Sequence, residues 1–289
     1  MAATRNIDML PPVVPAVGAT RTDWRRHMPT AAAFSWLKAG WRDFTTRPGL
    51  SLLYGVLVFA ISIVIIGGLF RFGRDYILLP ALSGFLVAGP LIAVGLYEKS
   101  RRLEQGTPVT LGRMIFVRSR SGGQILFVGV LLCMLAMLWM RAAVLLYALF
   151  FGLLPFPGVH DIMPILIGTP RGLGLIIVGS LIGGLFAAFA FAISVFSVPM
   201  LLDRRTDALT AMGESMATVW NNRPVMLCWG AIVVVLFGLS VVTGLLGLIV
   251  VFPVLGHATW HAYTAMRPAV DLGEEEEPDS PAELREVPS

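Results

Sequence analysis

Apolar runs separated by short polar turns make up most of the chain from residue 50 to residue 263. A helix needs about 20 such residues to cross a bilayer. Runs at about 50–70, 77–97, 124–152 and 172–202 reach that length, the third interrupted only by Arg141. The longest run, 223–263, holds no charged residue between Arg223 and His257. It is roughly twice the length of one crossing, and Gly238, Ser240, Thr243 and Gly244 break it near its middle. It reads as a tight hairpin, giving a fifth and a sixth crossing.

The polar stretches are patterned too. Phe34, Leu37, Trp41 and Phe44 recur at helical spacing with Lys38 and Arg42 between them, which predicts an amphipathic helix lying among lipid headgroups. Leu111, Met114 and Ile115 predict a shorter turn of the same kind. Leu209, Met212, Met216 and Val219 make a third stripe, ended by Arg223-Pro224. The stretch carrying Lys99, Arg101, Arg102, Arg113, Arg118 and Arg120 reads as a basic loop, and the Pro- and Gly-rich stretch 153–172 as a nearly neutral one. Residues 1–29 are Pro-rich and without periodicity, a flexible arm. They lack the apolar core of a cleaved secretory signal, so the first crossing is expected to act as an uncleaved anchor. Residues 30–266 form the membrane domain. Residues 267–289, with Glu274 to Glu277, read as a disordered acidic tail.

Three stretches align: RPGLSLLYG from Arg47, RSGGQILFVG from Arg120 and RPVMLCWG from Arg223. Each follows an amphipathic segment and enters an apolar run, and a second run with a proline near its end follows (Pro90, Pro199, Pro253). The expected fold is therefore an all-α integral membrane protein, a six-span helical bundle of three hairpin-like repeats with cytoplasmic amphipathic surface helices. Lys and Arg number 18 on the arm, tail and even-numbered loops, and the two opposite loops hold only Arg71, Arg74 and Arg171. The positive-inside rule then puts both termini in the cytoplasm.

Composition agrees. The 289 residues are 56% hydrophobic and 14% charged, where soluble domains carry about 25% charge. The net charge of +4 sits beside apolar runs rather than in one patch, which argues against nucleic acid. Cys133 and Cys228 both lie inside apolar runs and suggest neither a disulfide framework nor a metal site.

Few residues carry candidate chemistry. Arg141 has two readings: a polar contact facing the bundle interior or a watery cavity, or a side chain snorkelling at the outer interface. His257 and His261, four apart with Trp260 beside them, share a helix face and are the weak candidates for metal or haem. A complete site would need ligands from elsewhere, so no metal and no cofactor are predicted. Ser180, Gly184, Ala188 and Ala192 stand at four-residue spacing on the fourth span and predict close helix packing, inside the bundle or between copies. No phosphate loop, HExxH, nucleophile elbow or carboxylate pair within a span is present.

The motifs SWLKAGWRDF, GPLIAVGLYEKSRRLE, SVPMLLDRRTDALTAM and GLIVVFPVLGHATWHAY resemble a bacterial family of predicted integral membrane proteins, the domain of unknown function DUF 2189. The resemblance runs from about residue 34 to 266. It implies a multi-pass protein of the bacterial inner membrane and no established activity. Some relatives are labelled cytochrome c oxidase subunits, but a haem-copper catalytic subunit needs about six histidine ligands in its spans, and here only His257 and His261 approach one.

The expected function is non-enzymatic: a small transporter-like bundle or an accessory factor of a membrane complex. The alternatives are a cytochrome c oxidase-associated or assembly protein, and a membrane enzyme acting on lipid through Arg141 and a histidine. The expected partners are the lipid bilayer, other membrane subunits or a second copy, and no nucleic acid.

Overall fold

A computed structural model describes residues 24–117, 119–152, 154 and 156–267. Most of the arm, Arg118 of the basic stretch and the acidic tail lie outside the described residues. Among those described, the regular structure is helical throughout. The helices are α1 (Ala32–Thr45), α2 (Pro48–Arg71), α3 (Leu78–Ile92), α4 (Val94–Glu104), α5 (Leu111–Ile115), α6 (Gly122–Phe151), α7 (Val159–Gly168), α8 (Pro170–Ser194), α9 (Ser197–Asp203), α10 (Ala208–Asn221), α11 (Arg223–Val242) and α12 (Leu248–Met266).

The starts and stops follow local chemistry. Pro48, Pro170 and Pro224 sit in the first turn of their helices, where a missing N–H goes unused. Thr169 and Asp207 cap α8 and α10 by accepting from the amides of Gly172 and Thr210. The long run 223–263 is two helices, and its turn uses positive φ at Gly244 (64°) and Leu245 (69°). A non-glycine residue in that region is uncommon.

Among the described residues, five helical segments are long and apolar enough to cross a membrane: Pro48–Arg71, Asp75–Glu104, Gly122–Phe151, Pro170–Asp203 and Arg223–Val242. Two of these are interrupted. The second bends at Ala93, between α3 and α4, and the fourth at residues 195–196, between α8 and α9. α12 is not among the five; His257, Trp260, His261 and Tyr263 make its second half polar.

α12 is instead the axis of the bundle, buried from Gly256 through Trp260 and against α1, α2, α4 and α11. Glycines admit the closest approaches. A Cβ on Gly55 of α2 would stand 2.1 Å from the Ile249 carbonyl oxygen, and one on Gly40 of α1 would stand 2.6 Å from the Ala258 nitrogen. The distribution of polarity is inverted relative to a soluble protein. Ser51, Glu98, Lys99, Ser100, Ser197, Ser215 and Ser240 are fully enclosed, whereas Val64, Leu145 and Ile177 face outward. Such a surface suits a hydrocarbon solvent, in which buried polar groups must find partners within the protein.

The structure corrects several sequence expectations. Residues 98–104 continue as helix rather than forming a basic loop, and Lys99 is wholly buried there. The stretch 153–172 contains α7, whose Ile162 and Leu166 pack inward. The amphipathic stripes are divided between the interior and the outer surface. α1 buries Ala33, Trp36, Gly40, Asp43 and Phe44 while Phe34 and Trp41 point outward. α10 buries Ala208, Ala211, Ser215 and Thr218 and exposes Leu209 and Met216. Residues 24–26, assigned to the flexible arm, are tied down: Asn222 Nδ2 donates to the Trp24 carbonyl at 2.7 Å, and the Arg26 amide donates to Asn222 Oδ1 at 2.8 Å.

Candidate functional site

α12 places its two histidines in a polar chain joining α1, α2 and α4. His257 is fully buried between two hydroxyls, with Nε2 2.9 Å from Ser51 Oγ and Nδ1 2.8 Å from Ser100 Oγ. Lys99 Nζ donates to Ser51 Oγ at 2.7 Å and to the Arg47 carbonyl at 3.4 Å. Asp43 lies 2.8 Å from His261 Nε2, with Ser100 also near enough to stabilise its charge. Glu104 Oε1 stands 3.6 Å from His261 Nδ1.

With the Ser100 hydroxyl proton directed to the Asp43 carboxylate, which only accepts, one arrangement of protons runs through the chain. Ser100 then accepts from His257 Nδ1–H, His257 Nε2 accepts from Ser51, and Ser51 accepts from the Lys99 ammonium. An ammonium and a carboxylate are thus joined through Ser51, His257 and Ser100, every link donating in one direction. Burial alone would raise the pKa of Asp43. The interactions with His261 and Ser100 outweigh it and hold the carboxyl below its ordinary value. Beside the chain, the enclosed carboxylate of Glu98 pairs with Arg101 and Arg102, both at 2.6 Å.

On the other face of α12 lies a cavity of about 90 Å³, room for about three waters. Both interrupted segments meet there: Pro90 and Ala93 from the first break, Ser194 and Val195 from the second, with Gly256 and Thr259 from α12. Trp229 of α11 also lines it. The Trp229 indole Nε1 is buried without a hydrogen-bond partner, and such an orphaned donor costs about 1–3 kcal/mol.

The residues singled out in the sequence divide between this centre and the periphery. His257 and His261 belong to the polar chain and hold separate partners, and no group of three His, Cys, Asp or Glu among the described residues is placed to hold a metal ion. Arg141 is exposed on α6, which continues as helix to Phe151, away from the chain around His257. Ser180, Gly184 and Ala188 are exposed and Ala192 is half-buried, and a Cβ on Gly184 would meet nothing within 4 Å. The other face of α8 does the internal packing, with Gly183 against the Trp139 ring.

Sequence reading missed Asp43, Ser51, Lys99 and Ser100. One signal was present: Trp36, Gly40 and Asp43 share a face of α1, and Asp43 is the only acid between residues 24 and 74. A lone acid on the buried face of a helix needs a partner.

Residues 78–203 match the family model of a predicted integral membrane protein, DUF2189. This is the family that the four motifs resemble. The match covers α3 through α9, so it includes Lys99, Ser100 and both helix breaks and stops short of Asp43 and α12. No curated protein and no solved structure gives a match. Together with the five apolar helical segments, the match makes the chain a multi-pass integral membrane protein.

Proposed function

We propose that the chain is a non-enzymatic, six-span bundle of the small-transporter type, resident in a bacterial inner membrane with both termini cytoplasmic. The observation that carries the reading is the cavity at which the two broken helical segments meet beside α12. Transporters commonly build their binding sites where membrane helices are discontinuous. The mostly apolar wall and the unpartnered indole N–H of Trp229 suit a small neutral solute with a single acceptor. The charge asymmetry along the sequence supports the orientation, and the three prolines in corresponding second helices support a threefold plan with α12 as the sixth span.

Liposomes containing the protein are expected to take up formamide or acetamide faster than empty liposomes in stopped-flow light scattering. Ala93→Leu, which fills the cavity, should return the rate to that of empty liposomes. Equal rates with and without folded protein, across both solutes, would sink the transporter reading.

A second reading, an accessory factor of a membrane complex such as an oxidase, is favoured by the outward Ser180, Gly184 and Ala188 face and by exposed Trp220 on α10. Deleting the gene separates the two. The transporter reading leaves oxidase assembly and activity intact, and the accessory reading lowers both.

A further inference from the structure

A second, larger cavity of about 520 Å³ lies between α3, α6, α7 and α8. Its size falls in the range of roughly 300–1,000 Å³ that holds organic ligands. α8 lines it from Leu175 to Ala187, a stretch of about 18 Å at about 1.5 Å per residue. The hydrocarbon of one leaflet is about 15 Å deep, half of the roughly 30 Å core. The cavity therefore has the length of one lipid chain.

Its two ends differ in chemistry. At the outer end the rings of Tyr76 and Tyr147 pack against Phe156, with centroids 6.5 Å and 5.8 Å apart. Tyrosines at that depth place a polar tip among headgroups. At the inner end Trp139 Nε1 donates to Ser83 Oγ at 2.7 Å, and Ser83 donates to the Pro80 carbonyl at 2.9 Å. These polar groups satisfy one another and offer a ligand nothing. The walls between are apolar apart from the Ser180 hydroxyl, and the mouth is continuous with the outward-facing Val144, Leu145, Ile176 and Ile177. The medium at that mouth is lipid. A cavity of this size left empty would strip its lining of packing contacts.

We propose that this cavity holds one acyl chain of a bilayer phospholipid, tail inward towards Trp139 and ester region at the two tyrosines. Gly179 provides the test, because an added Cβ there meets nothing within 4 Å although the residue lines the cavity. Gly67 on α2 is equally unobstructed and is not among the lining residues.

The full chain is extracted from membranes in mild detergent and weighed by native mass spectrometry. Wild type and Gly67→Phe should retain one phospholipid mass per chain, and Gly179→Phe at least tenfold less. After delipidation, adding phosphatidylglycerol should raise the unfolding midpoint of the first two proteins and leave Gly179→Phe unmoved. Ala143→Leu, a smaller filling of the same cavity, replaces Gly179→Phe should that variant not fold. Three results would each overturn the proposal: no retained phospholipid and no midpoint shift in wild type, retention undiminished by filling, or a retained free fatty acid or quinone in place of phospholipid.

Discussion

Asp43 and Trp229 show opposite ways of burying a polar side chain. Asp43 is held by His261 at 2.8 Å, with Ser100 also stabilising its charge, so removing that charge strands the imidazole. Asp43→Asn is expected to destabilise the protein by about 2–3 kcal/mol at pH 7. The pH dependence has a definite sign. The folded pKa lies below the ordinary 3.8, so the stabilisation is complete above that value and fades as pH falls through the lower folded one. Denaturation midpoints of wild type and Asp43→Asn should therefore converge in acid, and a gap that stayed constant down to pH 2 would contradict the paired carboxylate. Trp229 has no partner for its indole N–H. Trp229→Phe should leave stability unchanged or raise it by about 1 kcal/mol, while abolishing the solute uptake proposed for the cavity it lines. A large loss of stability instead would mean that the N–H is satisfied by an ordered water.

At the scale of elements, apolar length and proline position in the sequence predict where helices run, because these depend only on the local chain. The two helices in 223–263 and the amphipathic segments at α1 and α10 were visible on that ground. Which face each helix turns inward was not. In α10 Leu209 and Met216 point out, Met212 and Val219 pack against the core, and Ala211 and Ser215 point in, because the inner face needs small residues for close packing. The hydrophobic pattern that locates a soluble core loses its sense here. The same reversal hid Lys99, which a charge count assigns to solvent and the structure encloses beside Ser51. Three of the four motifs that carry the family resemblance contribute to one polar chain: Asp43 from the first, Lys99 and Ser100 from the second, His257 and His261 from the fourth. Single motifs named a family, and only the packing of α12 brought them together.

Glycines on these helices make the contrast testable. Gly55→Ala puts a Cβ 2.1 Å from a backbone oxygen of α12, which cannot move without shifting the axis of the bundle. A loss of about 3 kcal/mol or more is expected. Gly184→Ala meets nothing and should gain up to about 1 kcal/mol from helix propensity. Thermal unfolding of the two variants in detergent checks both. Similar losses would mean that this part of α8 is covered, by a second copy or by the acyl chain proposed for the cavity that Gly184 lines.

For the whole molecule the number of crossings turns on α12. α11 has 20 residues and α12 has 19, so at about 1.5 Å per residue both come close to the roughly 30 Å core. α12 is shielded along most of its length by α1, α2 and α4, and a helix surrounded by protein can carry His257 and His261 through the boundary of the bilayer without meeting lipid. On this view the turn at residues 243–247 reaches the side opposite the α4–α5 connection. Replacing Cys133 and Cys228 by alanine gives a background for single cysteines at Gly73, Thr107, Arg205 and Leu246. In intact spheroplasts a membrane-impermeant maleimide should label positions 73 and 246, and positions 107 and 205 only after lysis. Labelling of position 246 together with 107, or from neither side, would leave the α11–α12 turn on the cytoplasmic side or inside the bilayer and reduce the count to five or fewer. The polar chain from Lys99 to Asp43 would then anchor a re-entrant hairpin, and the cavity at the helix breaks would open to one side of the membrane only.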